Sequence, residues 1–312
     1  MTAQGMSTVS ASPAMGSAHA SLPGPAYVEL VSFRSPSSGQ VLDGALWWPD
    51  QDPVGAVVYL HGKGGNFYSG PSRWLPERCR HLPIVHLGVN MSCHDLGYTR
   101  VDVPAPDFAV EDVPVAGGMW EDISAGPGDV AGAVALLRGR GVDQVAVAGH
   151  SSGGFYVGRY SAAAPDVAAR VLLSPLLTNR TALSAWFDGP GLDQALQAAR
   201  ALVAAGGGGQ LVSVPRWYYG ISAASLLQRA ADPPGSWEQG MAASSAPTLW
   251  VWGDAESRHR VWSAAFAAQQ VERKEKLVVA GAEHHYLGHE RLIADRVGAF
   301  LMSVFGSPGR AD

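Results

Sequence analysis

The chain has 312 residues, 47% of them hydrophobic, and a formal charge of -5. That length suits one large α/β domain with an insertion, or two domains, and the apolar fraction is ample for a core. The acidic balance, with a pI near 6.0, argues against nucleic acid or an anionic membrane as partner. No apolar stretch of about 18 residues predicts a membrane span. Cys79 and Cys93 do not make a disulfide framework and fit a reducing compartment. Residues 1–25, rich in Ala, Ser, Gly and Pro, lack a basic head followed by an apolar block. They read as a disordered tail rather than a secretory signal, and the expected location is cytoplasmic. Residues 306–312 read as a second tail.

Residues 27–33 and 41–48 alternate apolar and polar positions across a Ser/Pro/Gly turn, which predicts an antiparallel hairpin. Residues 56–60 are wholly apolar, as a strand buried on both faces would be. They end in His61–Gly62–Lys63–Gly64–Gly65. A helix over 71–80 and a strand over 83–87 follow. Residues 90–118 form a long loop containing Cys93–His94–Asp95, and such loops are usually functional or mobile. Residues 129–138 carry helical spacing, stopped by Gly139 and Gly141. The strand at 145–148 runs into Gly149–His150–Ser151–Ser152–Gly153, with a helix over 155–164. Residues 171–173 form the next strand. Over 176–246 the alternation gives way to two helical stretches, 192–205 and 222–231, punctuated by aromatic residues. This region is read as a helical cap inserted into a core of 26–175 and 247–305. Residues 248–252 restore the sheet and lead to Gly253–Asp254–Ala255–Glu256. Residues 261–270 are helical, and 276–279 lead into Gly281–Ala282–Glu283–His284–His285. Residues 290–305 close as an amphipathic helix. Strands alternating with helices predict an α/β fold, a mostly parallel sheet covered on both faces. Its post-strand loops converge on one carboxyl edge, where ligands bind.

The stretch at 149–153 is a nucleophile elbow, a strand turned sharply into a helix with Ser151 at the apex. A serine hydroxyl needs a base, and the base needs an orienting acid. His284 is the expected base, with His285 and His289 as alternatives. Asp254 and Glu256 both follow a strand at a suitable place, and position leaves the choice open. The other carboxylate is expected to hold loop amides or Arg258. The amide N–H groups of Lys63 and Ser152 can form an oxyanion hole. The 61–65 loop lacks the spacing of a phosphate-binding loop. His94–Asp95 has no neighbouring cluster at ligand spacing, so no metal is expected there. His94, Trp217, Tyr218 and Tyr219 are candidate substrate contacts.

These motifs, His61–Gly62, Gly149-x-Ser151-x-Gly153, a late acid loop and a later histidine, resemble the α/β-hydrolase superfamily over about residues 27–305. The order Ser, acid, His is the one that superfamily uses. In many members the acid loop reads Gly-x-x-Asp with the fourth position catalytic, which favours Glu256 over Asp254 here. The resemblance implies a serine hydrolase acting on a small-molecule ester, lactone or amide, with no cofactor and no metal. The alternatives are non-hydrolytic chemistry on the same fold, such as lyase or C–C cleavage, or a non-catalytic ligand receptor.

Overall fold

The computed structural model describes residues 28–100, 114–163, 167–176, 183–184, 189–215, 220–233, 235–269 and 271–306. Eight strands build the main sheet: β1 Val28–Arg34, β2 Val41–Trp47, β3 Gly55–Leu60, β4 Ile84–Val89, β7 Val145–His150, β8 Arg170–Leu173, β11 Thr248–Gly253 and β12 Lys274–Val279. Their spatial order is β1-β2-β4-β3-β7-β8-β11-β12. β1 and β2 form the hairpin, β2 pairs antiparallel with β4, and every later pair is parallel. Two short ribbons complete the strands. β5 Tyr98–Thr99 pairs with β6 Val115–Ala116, and β9 Leu211–Val212 pairs with β10 Ile221–Ser222.

The helices are α1 Gly70–Cys79, α2 Gly126–Gly139, α3 Ser152–Ala163, α4 Gly189–Ala204, α5 Ala223–Ala231, α6 Ser236–Ala242, α7 His259–Ala268 and α8 Glu290–Phe305. The period of two along each strand sorts side chains between two layers. Val58 and Leu60 on β3, Val147 on β7 and Trp250 and Trp252 on β11 share one cluster with α2, α3, α6 and α7. Val57 and Tyr59, Ala146 and Ala148, and Leu249 and Val251 face the opposite cluster with α1 and α8. The central strands β3, β4, β7 and β11 are buried at every residue, so their runs are mostly apolar rather than alternating, with His86, His150 and Thr248 as buried polar exceptions.

The segment between β8 and β11 carries α4, α5 and its own cluster, built on Leu192, Leu196, Ile221 and Leu226. Trp237 and Met241 of α6 instead pack in the main core. Fully buried Arg170 fastens the chain where it returns to the sheet. Its guanidinium donates to Met241 O at 2.8 Å, Ser244 O and Ala246 O at 3.0 Å each, and Thr248 Oγ1 at 2.9 Å. Cys79 and Cys93 are buried, unbridged thiols. Among the described residues no helix is long and apolar enough to cross a membrane.

The proposed tail residues 1–25 and 307–312 lie outside the described residues, as do residues 101–113 of the long loop.

Candidate active site

Ser151 sits between the end of β7 and the start of α3 with φ +53°, the left-handed region that costs a side chain about 1 kcal/mol or more. Backbone bonds over-determine that conformation. Ser151 N–H donates to Leu173 O at 2.9 Å, and Ser151 O accepts from Leu176 N at 2.7 Å and Gly154 N at 3.0 Å. The flanking glycines are required by contact. A Cβ on Gly149 would lie 2.3 Å from Gly153 C, and one on Gly153 would lie 2.3 Å from Leu60 O. Ser152 opens α3, so its amide is among those a helix start leaves without an intrahelical acceptor.

The acid loop is built around its own carboxylate. Glu256 Oε1 accepts the Gly253 N–H at 3.0 Å and the Ser174 hydroxyl at 2.6 Å. Its Oε2 faces His284 Nδ1 at 2.8 Å, with the Glu256 side chain 5% exposed. A carboxylate accepts, so Nδ1 carries the proton of this bond. Gly253 lets the histidine loop come this close, since a Cβ there would sit 1.9 Å from Ala282 O. Asp254 does a different job: its Oδ1 accepts the Gly281 N–H at 2.7 Å and pins the turn that precedes His284.

Neighbours that the motifs did not single out brace this arrangement. His150 Nε2 donates to the His284 carbonyl at 2.8 Å, and the two rings lie 4.7 Å apart. Burial, reinforced by the nearby His284, holds the His150 pKa well below the ordinary histidine value, so the ring is neutral. Ser174 and Tyr286, also at positive φ, meet hydroxyl to hydroxyl behind Glu256, and Tyr286 OH donates to Val251 O at 3.2 Å. Ser174 stands directly after β8, on the same sheet edge as the motifs; that position was its one sequence signal.

Ser151, Ser152, Glu256, His284 and the 61–65 loop line one cavity of about 740 Å³. The His61 ring, at the edge of this cavity, serves as a scaffold. Its Nδ1 donates to Gly62 O at 2.7 Å and its Nε2 accepts the Met91 N–H at 3.1 Å. Burial lowers its pKa to about 4, consistent with that neutral tautomer. The Lys63 ammonium turns to the carboxylate of Glu121 at 2.6 Å. Arg229 of α5, itself on the cavity wall, donates to the same carboxylate through Nε at 2.9 Å and through Nη2. Tyr156 OH donates to the other oxygen. Burial alone would raise the Glu121 pKa. The Arg229 and Lys63 charges outweigh it and hold the carboxyl well below its usual range. Burial pulls Lys63 down to about 8.

His285 also lines the cavity, whereas His289 precedes α8 and does not. His94 is not among the lining residues: its ring stacks on Tyr98 at 4.0 Å and its Nδ1 meets Asp95 Oδ2 at 2.9 Å. It belongs to the loop behind 61–65, where Asp95 N–H donates to Gly65 O at 2.8 Å. Trp217, Tyr218 and Tyr219 lie outside the described residues.

A profile of the alpha/beta hydrolase family matches residues 57–296, and the chain belongs to that family. No curated protein matches it in sequence. Est1E of Butyrivibrio proteoclasticus, solved with ferulic acid, is 17% identical with a TM-score of 0.63, covering 88% of this chain and 99% of its own. The alpha/beta hydrolase GrgF of Penicillium is 16% identical at a TM-score of 0.69, covering 90% and 99%. A monoacylglycerol lipase of Paleococcus ferrophilus is 18% identical at 0.60, covering 84% and 98%. At these identities the likeness is one of fold.

Proposed function

We propose that this alpha/beta hydrolase is a serine hydrolase cleaving a small-molecule carboxylic ester, lactone or amide through an acyl-enzyme. The observation that carries the reading is the 2.8 Å His284–Glu256 pair on the same cavity wall as the strained Ser151. Ser151 Oγ attacks the carbonyl carbon while His284 Nε2 takes its proton. Glu256 stabilises the imidazolium through Nδ1–H. The Lys63 and Ser152 amides receive the charge on the carbonyl oxygen, donors of a kind worth about 3 kcal/mol each. Imidazolium then protonates the leaving group, and water enters by the same steps in reverse order to release the acid. The segment between β8 and β11 acts as a cap, contributing Leu183 and Arg229 to the wall. A cavity of about 740 Å³ fits a drug-sized molecule rather than a polymer.

A fluorophosphonate probe tests the reading directly. Mass spectrometry should find the adduct on Ser151, and Ser151→Ala should lose turnover of a panel of aryl esters, lactones and anilides. A Ser151→Ala protein that turns over its substrate at the wild-type rate would sink it.

A further inference from the structure

We propose that Glu121 is a positioning residue for the two oxyanion donors, one carboxylate tying the Lys63 loop to helix α3 and to the inserted segment. The inference rests on the serine-hydrolase reading above.

Glu121 follows a single 3-10 turn, Gly118–Trp120, wedged between the loop and the insertion. On one side the turn touches the 61–65 loop: a Cβ on Gly118 would lie 3.0 Å from Gly64 N. On the other side its neighbours hold the insertion. Trp120 Nε1 donates to Gly209 O at 2.8 Å, Gln228 Nε2 donates to Asp122 Oδ1 at 2.6 Å, and Ile123 N–H donates to Gln228 Oε1 at 2.8 Å. The Glu121 side chain is 0% exposed, so every lone pair it keeps must be met by protein.

Those partners define the role. Lys63, whose amide is the first proposed donor, binds Oε2 with its own ammonium. Tyr156, which binds Oε1, stands four residues after Ser152 on α3, one turn along the same face from the second proposed donor. Arg229 adds the insertion through α5. Lys63 is therefore one side chain from a common anchor, and Ser152 is one helical turn and one side chain from it. Oxyanion stabilisation depends on donors held near 3 Å from a charge that exists only in the transition state, so a small shift in their spacing lowers rate more than binding. An anchor buried under the insertion also makes that spacing depend on the insertion being seated.

The test uses Glu121→Gln, Glu121→Asp and Tyr156→Phe in the full chain, with rates expressed per probe-labelled site. Glu121→Gln should lower kcat about 100-fold with KM changed less than about threefold, since the loss falls on the transition state. Affinity for a trifluoromethyl ketone, whose hemiketal oxygen occupies the oxyanion hole, should fall in parallel. Glu121→Asp should restore part of both, and Tyr156→Phe should cost about tenfold in each. Unchanged kcat and ketone affinity in folded Glu121→Gln overturn the inference, as does an equal loss of affinity for the carboxylate product. Should Glu121→Gln fail to fold, unchanged values in Tyr156→Phe overturn it. Ser151 labelling in the wild type with no effect in the variants sinks this inference alone. A wild type that is not labelled, and whose turnover survives Ser151→Ala, sinks both readings.

Discussion

Two parts of the cavity lining are held by different forces. The sheet-edge wall carries Ser151, Glu256 and His284, each on a loop that leaves a parallel strand, fixed largely by backbone bonds and close glycine contacts. Lys63 and Arg229, elsewhere on the lining, are joined through the buried charge of Glu121, across separations of 58 and 108 residues. A strained turn keeps its geometry because bonds and contacts from neighbouring strands over-determine it. A buried ion cluster holds only while all its members are present, because removing one partner leaves a charge without compensation.

The largest expected effect separates the two carboxylates of the acid loop. Glu256→Gln should lower kcat/KM by about 10⁴-fold, as when a triad acid becomes an amide, whereas Asp254→Ala, which loses a bond to one loop amide, should cost less than about tenfold. Steady-state kinetics on the best ester of the panel measures both, and equal effects would erase the distinction.

Acid should act through the buried histidines before it reaches the buried carboxylate. The folded pKa of His61 lies near 4, below the ordinary histidine value. The unfolded chain therefore binds the extra proton first, and stability falls as pH drops through that window. Between pH 7 and pH 5 this amounts to about 2 kcal/mol for one such histidine. His150, shifted in the same direction, adds to it. Glu121, held below the usual carboxylate range, still contributes fully at pH 5 and loses its contribution only at lower pH. Urea midpoints from pH 7 to pH 4 should show the histidine loss first; a flat profile down to pH 5 would contradict it.

Gly149→Ala should cost more than that acid loss. A methyl group 2.3 Å from Gly153 C has no space, so the variant should lose more than about 3 kcal/mol of stability or fail to fold. The smallest effect belongs to the insertion seat. Gln228→Ala removes bonds to Asp122 and Ile123 at a partly exposed place and should cost about 1 kcal/mol. Hydrogen exchange should locate the loosening in residues 118–123 and α5 and leave β7 and β11 unaffected.

The same contrast explains what could be read from the chain alone. The elbow was legible because its turn accepts only glycine at 149 and 153. The mostly parallel sheet followed from apolar runs alternating with helical periods, whereas the order of its strands did not. Glu256 and Asp254 could be nominated together because both follow β11, but the geometry that separates them depends on Ser174, Gly253 and Gly281, which no spacing rule connects. Glu121 and Arg229 carried no local mark: each is an ordinary charged residue until folding buries them together. His94–Asp95 drew notice for its composition, and the structure engages it with Tyr98, Asn66 and Gly65 behind the cavity.

Arg170 gives the inserted segment a fixed pivot. Its guanidinium grips the returning chain at four acceptors between Met241 and Thr248, and none of them belongs to the acid or histidine loops. The insertion therefore returns to the sheet through bonds independent of the one that holds the imidazole to its carboxylate.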